Sequence, residues 1–176
     1  MLSRCYYEMG DFNKALEYNH KEQEEIKRKF SQTTLVSGDP MIAPESNEVS
    51  FLMALEEYGR AKEIVNDLDV RLEKLRGSSN HKEYVEEFNT LIMLPHKAKL
   101  AIEDRDLNLA EKIISELQDN ISARPSLKEL IQILKAECEM QEGKRESALQ
   151  RANEVLQNSS SVTLKARAEK IKMQNK

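Results

Sequence analysis

The chain repeats itself. When Gly10 is laid on Gly143, 133 residues downstream, Ser3 meets Ala136, Cys5 meets Cys138, Ala15 meets Ala148 and Leu16 meets Leu149. A shift of 95 brings Ser3 onto Ala98 and Ala15 onto Ala110, and a shift of 32 takes Ala136 to Ala168 and Gly143 to Asn175. Repetition on this scale constrains a fold more than any single motif does. A short helical unit cannot bury its apolar face alone and has to stack on copies of itself. In each copy one small residue falls in a first helix, where a neighbour must approach closely, and another falls early in a second helix.

The local signals agree with stacked helices. Gly (5) and Pro (4) are scarce in 176 residues, and Leu, Glu, Lys, Ala and Gln are abundant, which favours helix over strand. The pattern predicts a helix from Leu2 to Met9, a break at Gly10-Asp11, and a second helix from Phe12 to about Lys29. Residues 31–48 hold Pro40 and Pro44 with Ser, Thr and Gly, and read as a long loop or ordered insertion, with Ser46 as the next N-cap. Over 49–76, Ala54, Tyr58, Ala61, Val65, Leu68, Leu72 and Leu75 recur at alternating steps of 4 and 3, a heptad seam. Whether Gly59 splits this span into a hairpin is open. Gly77 ends it, and Ser78-Ser79-Asn80 is placed to cap the next helix. Residues 82–103 are helical around Pro95, which either kinks the helix or marks a new first turn. Further helices are expected at about 106–119, 126–141 (Ser126 as N-cap) and 144–157, with a last one after Ser161.

The stretch LSRCYYEMGDFNKALEY resembles the tetratricopeptide repeat family. Leu2, Ser3 and Tyr6 match the family's Leu, small residue and aromatic of the first helix, Gly10-Asp11-Phe12 its turn, and Ala15 the packing alanine of its second helix. Asn19 stands where the family prefers an aromatic, and Glu22 where it prefers Ala. LPHKAKLAIEDRDLNLAEKIISEL is a degenerate second copy, with Leu94 in place of Trp, then Ala98, Ala101, Leu107, Ala110, Ile114 and Leu117. KAECEMQEGKRESALQRANEVL is a third, through Ala136, Gly143, Ala148, Ala152 and Val155, while 49–90 fits poorly. The resemblance implies an all-α, α-α superhelix of antiparallel helix pairs. One domain is expected over 1–176: a first repeat at 1–30, the loop at 31–48, a long helix or hairpin at 49–80, a second repeat at 81–120, a third at 121–160 and a terminal helix at 161–176. Both ends fall inside a repeat, so a fragment of a longer array is expected.

The residues offer little for catalysis. His20, His81 and His96 form no pair at the i, i+4 spacing of helical metal ligands. GKRES at 143 lacks the glycine-rich run of a phosphate loop, and no nucleophile elbow is present. The adjacent carboxylates Glu24-Glu25 and Glu56-Glu57 point about 100° apart on a helix and suit a solvated face. No enzyme activity, cofactor or metal is expected. The net charge of −4 and the isolated Lys27-Arg28-Lys29 run speak against nucleic acid, and no apolar run approaches the ~20 residues of a membrane span. Cys5 and Cys138 read as two buried free thiols.

Binding of another protein or peptide is what the resemblance implies. In that family the first helices line a concave groove. The corresponding positions here are Arg4, Tyr7 and Glu8 in the first copy, Lys99 and Glu103 in the second, Glu137, Met140 and Gln141 in the third, and Lys165 and Lys172 in the last helix. Lys99 stands where the carboxylate-clamp subfamily has Asn, so an acidic chaperone tail is not the expected partner; an extended or helical peptide is. The alternative is a peptide- or ligand-sensing region of a bacterial sensor kinase or transcriptional activator, which would move the expected location from cytoplasm to periplasm. The 54–75 seam admits a third reading, a homodimer, with a monomer whose seam packs within the chain as the expected state.

Overall fold

A computed structural model describes residues 2–30, 39–77 and 81–174. Among them every regular element is helical: α1 (Leu2–Glu8), α2 (Phe12–Phe30), α3 (Ile42–Ala54), α4 (Tyr58–Arg76), α5 (Lys82–Phe88), α6 (Leu94–Glu103), α7 (Leu107–Asp119), α8 (Leu127–Gln141), α9 (Arg145–Asn158) and α10 (Val162–Met173). A π-helical turn covers Asn89–Met93. The chain divides into two compact units, Met1–Met93 and Leu94–Lys176, where the sequence reads as one domain. In the first, α1 packs on α2, α2 on α3, α3 on α4 and α4 on α5. In the second, α6 packs on α7, α7 on α8, α8 on α9 and α9 on α10, while α8 also meets both α6 and α10.

One turn is used four times. α1/α2, α3/α4, α6/α7 and α8/α9 are hairpins closed by a left-handed residue: Gly10 (φ 79°), Glu56 (62°), Arg105 (60°) and Gly143 (79°). In each, that residue's N–H donates to the carbonyl three back, and the next N–H donates five back: Asp11 to Tyr6 (2.9 Å), Glu57 to Leu52 (2.8 Å), Asp106 to Ala101 (2.9 Å) and Lys144 to Glu139 (2.8 Å). This is the Schellman arrangement, which satisfies carbonyls that the helix end leaves free. Five residues after the left-handed position stand Ala15, Ala61, Ala110 and Ala148, all fully buried, and seven before it stand Ser3, Val49, Ala98 and Ala136, all buried as well. Buried residues thus recur at the same two positions of each hairpin.

Glycine is required at this turn only for its backbone. A side chain added at Gly10 or Gly143 meets no atom within 4 Å, so substitution costs conformational energy without collision. Gly143→Ala is expected to lose about 1 kcal/mol, and Arg105→Gly to gain up to about 1 kcal/mol, by denaturant titration. Opposite signs at equivalent positions follow from a purely backbone requirement; two losses would mean that the Arg105 side chain holds its turn.

Several expectations need correction. Residues 31–38 and the capping run 78–80 lie outside the described residues, but from Ile42 on the expected loop is helix, the start of α3. Pro44 is its third residue, and the first turn of a helix needs no N–H there. Ser46 is not a cap; it is buried inside α3 and its hydroxyl donates to the Ala43 carbonyl at 2.8 Å. The span 49–76 is a hairpin, broken at Leu55-Glu56-Glu57 before Gly59. Its seam is divided: Ala54 ends α3, while Ala61, Val65, Leu68 and Leu72 of α4 are at most 3% exposed, covered within the chain. Pro95 is the second residue of α6 and stands directly after the π-helical turn Asn89–Met93, with no break in the helical chain before it. Ser126 precedes α8 without a capping hydrogen bond, whereas Asp106 and Ser161 do cap, accepting from the N–H groups of Leu109 and Leu164. Cys138 is buried as expected, but Cys5 is exposed, since nothing among the described residues covers that side of α1.

Candidate functional site

In the second unit α6, α8 and α10 are tied by charge. Lys99 of α6 reaches Glu103 (2.6 Å) one turn on and Glu137 of α8 (3.2 Å). Arg167 of α10 grips the same Glu137 with two hydrogen bonds, Nε to Oε1 at 2.9 Å and Nη2 to Oε2 at 2.6 Å. The Glu137 side chain is 11% exposed, that of Lys99 16% and that of Arg167 23%. Burial alone would push the Glu137 carboxyl up; the charges of Arg167 and Lys99, with their hydrogen bonds, outweigh it and hold the carboxyl below its ordinary range. A fork-on-fork Arg–carboxylate pair fixes geometry as well as charge. Apolar packing lies behind it, where Ile133 and Ala136 of α8 join Ala148, Ala152 and Val155 of α9 and Ala168 and Ile171 of α10.

The structure therefore brings together three of the expected groove residues, Lys99, Glu103 and Glu137, and uses their charges on one another. Arg167, which no motif marks, completes the set. It directly precedes Ala168, as Glu137 directly follows Ala136, so flanking a packing alanine was the available signal. Met140 is half-buried against the alanine-rich core, while Gln141 is exposed. Lys165 is half-buried, and Lys172 lies 3.7 Å from Glu169.

The first unit carries the other three. Arg4 and Glu8 pair at 3.3 Å on an exposed face of α1. Tyr7 is half-buried, and its ring packs against Phe12 at 5.4 Å and Phe51 at 5.0 Å between ring centres, joining α1 to α3. Tyr6 stacks on Tyr18 at 5.0 Å. The two departures from the family pattern have polar jobs. Asn19, fully buried, donates to the Pro44 carbonyl (3.0 Å) and accepts from Gln23 (2.8 Å). Gln23 also donates to Glu48 (2.6 Å), which meets His20 at 3.0 Å and Arg60 at 3.8 Å. Ser3 donates to Glu22 at 3.4 Å. The interface of α2 with α3 is hydrogen-bonded where an aromatic would have packed, and a buried amide so satisfied is specific in orientation.

Among the described residues, no group of three or more His, Cys, Asp or Glu is placed to hold a metal ion, and no helix is long and apolar enough to cross a membrane. No family model, curated protein or solved structure matches the chain.

Proposed function

We propose that the chain is a non-catalytic scaffold of tetratricopeptide type, in which the row of first helices α6, α8 and α10 receives an extended or helical segment of a partner protein. The observation that supports the reading is this row itself. α8 touches both α6 and α10, and the Lys99–Glu137–Arg167 ladder holds the three in register. A surface made of ridges on rigid helices needs little ordering when a peptide lies across it, which favours affinity. Because the ladder neutralises itself, the partner is selected by shape and apolar anchors, with the outlying Gln141, Lys165 and Lys172 setting charge preference at the rim.

The test is selection of binders from a random short-peptide display library on the immobilised chain, followed by amide chemical-shift mapping. Selected peptides should bind with micromolar affinity and shift residues of α6, α8 and α10. Lys165→Glu combined with Gln141→Glu should weaken them about tenfold while helicity is kept. Binding that ignores these substitutions, or a library that yields no binder, removes the reading.

A further inference from the structure

α1 leaves an apolar stripe open to water. Leu2 is 58% and Met9 69% exposed, and Cys5 between them is exposed as well. Steps of three and four put the three on one side of the helix, and the Met9 N–H still donates to the Cys5 carbonyl at 3.1 Å. Stacking of repeats does not account for the stripe. At the positions of Leu2 the inner copies carry Lys97 and Lys135, and at those of Met9 they carry Asp104 and Glu142. Charge thus stands there where α1 is apolar; only the middle position is alike, with Leu100 and Cys138 both buried. Arg4 and Glu8 run beside the stripe, 3.3 Å apart, their side chains 81% and 61% exposed. An exposed pair of this kind holds little energy and yields readily to another partner.

We propose that α1 pairs with α1 of a second copy of this chain, antiparallel about a two-fold axis beside Cys5. Leu2 then meets Met9 of the second copy, Arg4 meets its Glu8, and the two Cys5 side chains face each other across the axis. These three matches share one centre, between Cys5 and Tyr6, to within half a residue, so a single placement satisfies them all. A two-fold contact has to be self-complementary, and a stripe with bulky ends, a small middle and opposite charges alongside meets that condition. The small middle residue lets the helix axes approach to about 8 Å. α1 has seven residues, so the contact falls well below the ~800 Å² per partner of a stable complex, and the pair is weak and forms with concentration. It uses the first unit and is separate from the peptide surface proposed for α6, α8 and α10.

Sedimentation equilibrium of the full chain from about 10 μM to about 1 mM tests the pairing. A monomer–dimer equilibrium is expected, with a Kd on the order of 100 μM that rises with salt. Leu2→Glu and Met9→Glu alter exposed side chains and should each raise the Kd at least tenfold. The charges fix the arrangement. Arg4→Glu makes both flanking positions acidic and Glu8→Arg makes both basic, so each variant alone should pair at least tenfold more weakly. Their equimolar mixture should recover the affinity of the parent, because each acidic flank then faces a basic one. Mixing leaves every helix as it was, so a loss of α1 structure cannot produce that recovery. Oxidation by diamide, which takes up the two thiol hydrogens, should join the copies through Cys5, and Cys5→Ser should abolish the link. A monomer at all concentrations, dimerisation indifferent to Leu2→Glu and Met9→Glu, a mixture no tighter than either charge variant, or a link that survives Cys5→Ser overturns the proposal.

Discussion

Glu137→Ala is expected to destabilise the second unit by about 2–3 kcal/mol. Breaking one side of a buried ion pair costs roughly 3–5 kcal/mol when the remaining charge has nowhere to go. Here the cost is lower, because Arg167 and Lys99 retain 23% and 16% exposure and their long stems can carry the charge outward. Lys99 also keeps Glu103. Glu137→Gln, which preserves shape and one acceptor, should cost less than Glu137→Ala. The same residue carries a pH dependence. Its folded carboxyl titrates lower than an unfolded one, so the native state binds this proton less readily. Its stabilisation is therefore complete above the ordinary Glu value of about 4.3 and is lost as the pH falls below it. Urea titrations of the parent and Glu137→Gln at neutral and acid pH should converge as that window is crossed; parallel curves would mean that the carboxylate contributes nothing to folding.

Enlarging the buried alanines should give the second large effect. Ala61→Leu, Ala110→Leu and Ala148→Leu are each expected to cost about 1–3 kcal/mol by overpacking. All three are fully buried, five residues beyond a left-handed turn residue. The helix pair can admit the extra volume only by moving apart, which opens gaps along both helices. Glu111→Leu, one position on from Ala110 and exposed, is the control and should change stability by less than about 0.5 kcal/mol. The informative member is Ala61. If it behaves like the other two, the α3/α4 hairpin is a copy of the same unit; if it melts like the parent while they do not, that hairpin is packed differently.

Helix content and the turns at Gly10 and Gly143 were legible in the sequence because both rest on local physics. Gly10 and Gly143 mark a backbone that only glycine adopts freely, and alanines recur where helices touch. What hid the α3/α4 hairpin was a substitution at that same turn. Glu56 holds a left-handed conformation that its side chain disfavours, so a search for glycine passes over it and settles on Gly59, which lies in α4 with ordinary backbone. Arg105 holds the α6/α7 turn in the same left-handed conformation, but there the helical patterns on either side, 82–103 and about 106–119, mark the break without a glycine. In both, the hydrogen bonds of the closed turn and the packing of the two helices hold a residue where its own preference would not put it. The start of α3 was lost for a different reason, since Pro44 signals a break in the chain but is compatible with a first turn.

The candidate site was legible only in part. Spacing along a helix says which residues share its face, and it put Lys99 and Glu103 on one helix and Glu137 on another. Spacing says nothing about what stands opposite. That Arg167 would reach back from α10 to Glu137, that Tyr7 would turn onto Phe51, and that Asn19 would bridge to the Pro44 carbonyl depends on residues between 25 and 44 positions away along the chain. Such partners are chosen by how the helices stack, and side-chain charge is then spent or left free accordingly. By itself the sequence determined that the chain forms paired helices with small residues at their crossings, because backbone hydrogen bonding and helical periodicity are short-range. Only the tertiary structure decided which of the charged residues face one another, because an ion pair between helices exists only once packing has brought their faces within a few ångströms.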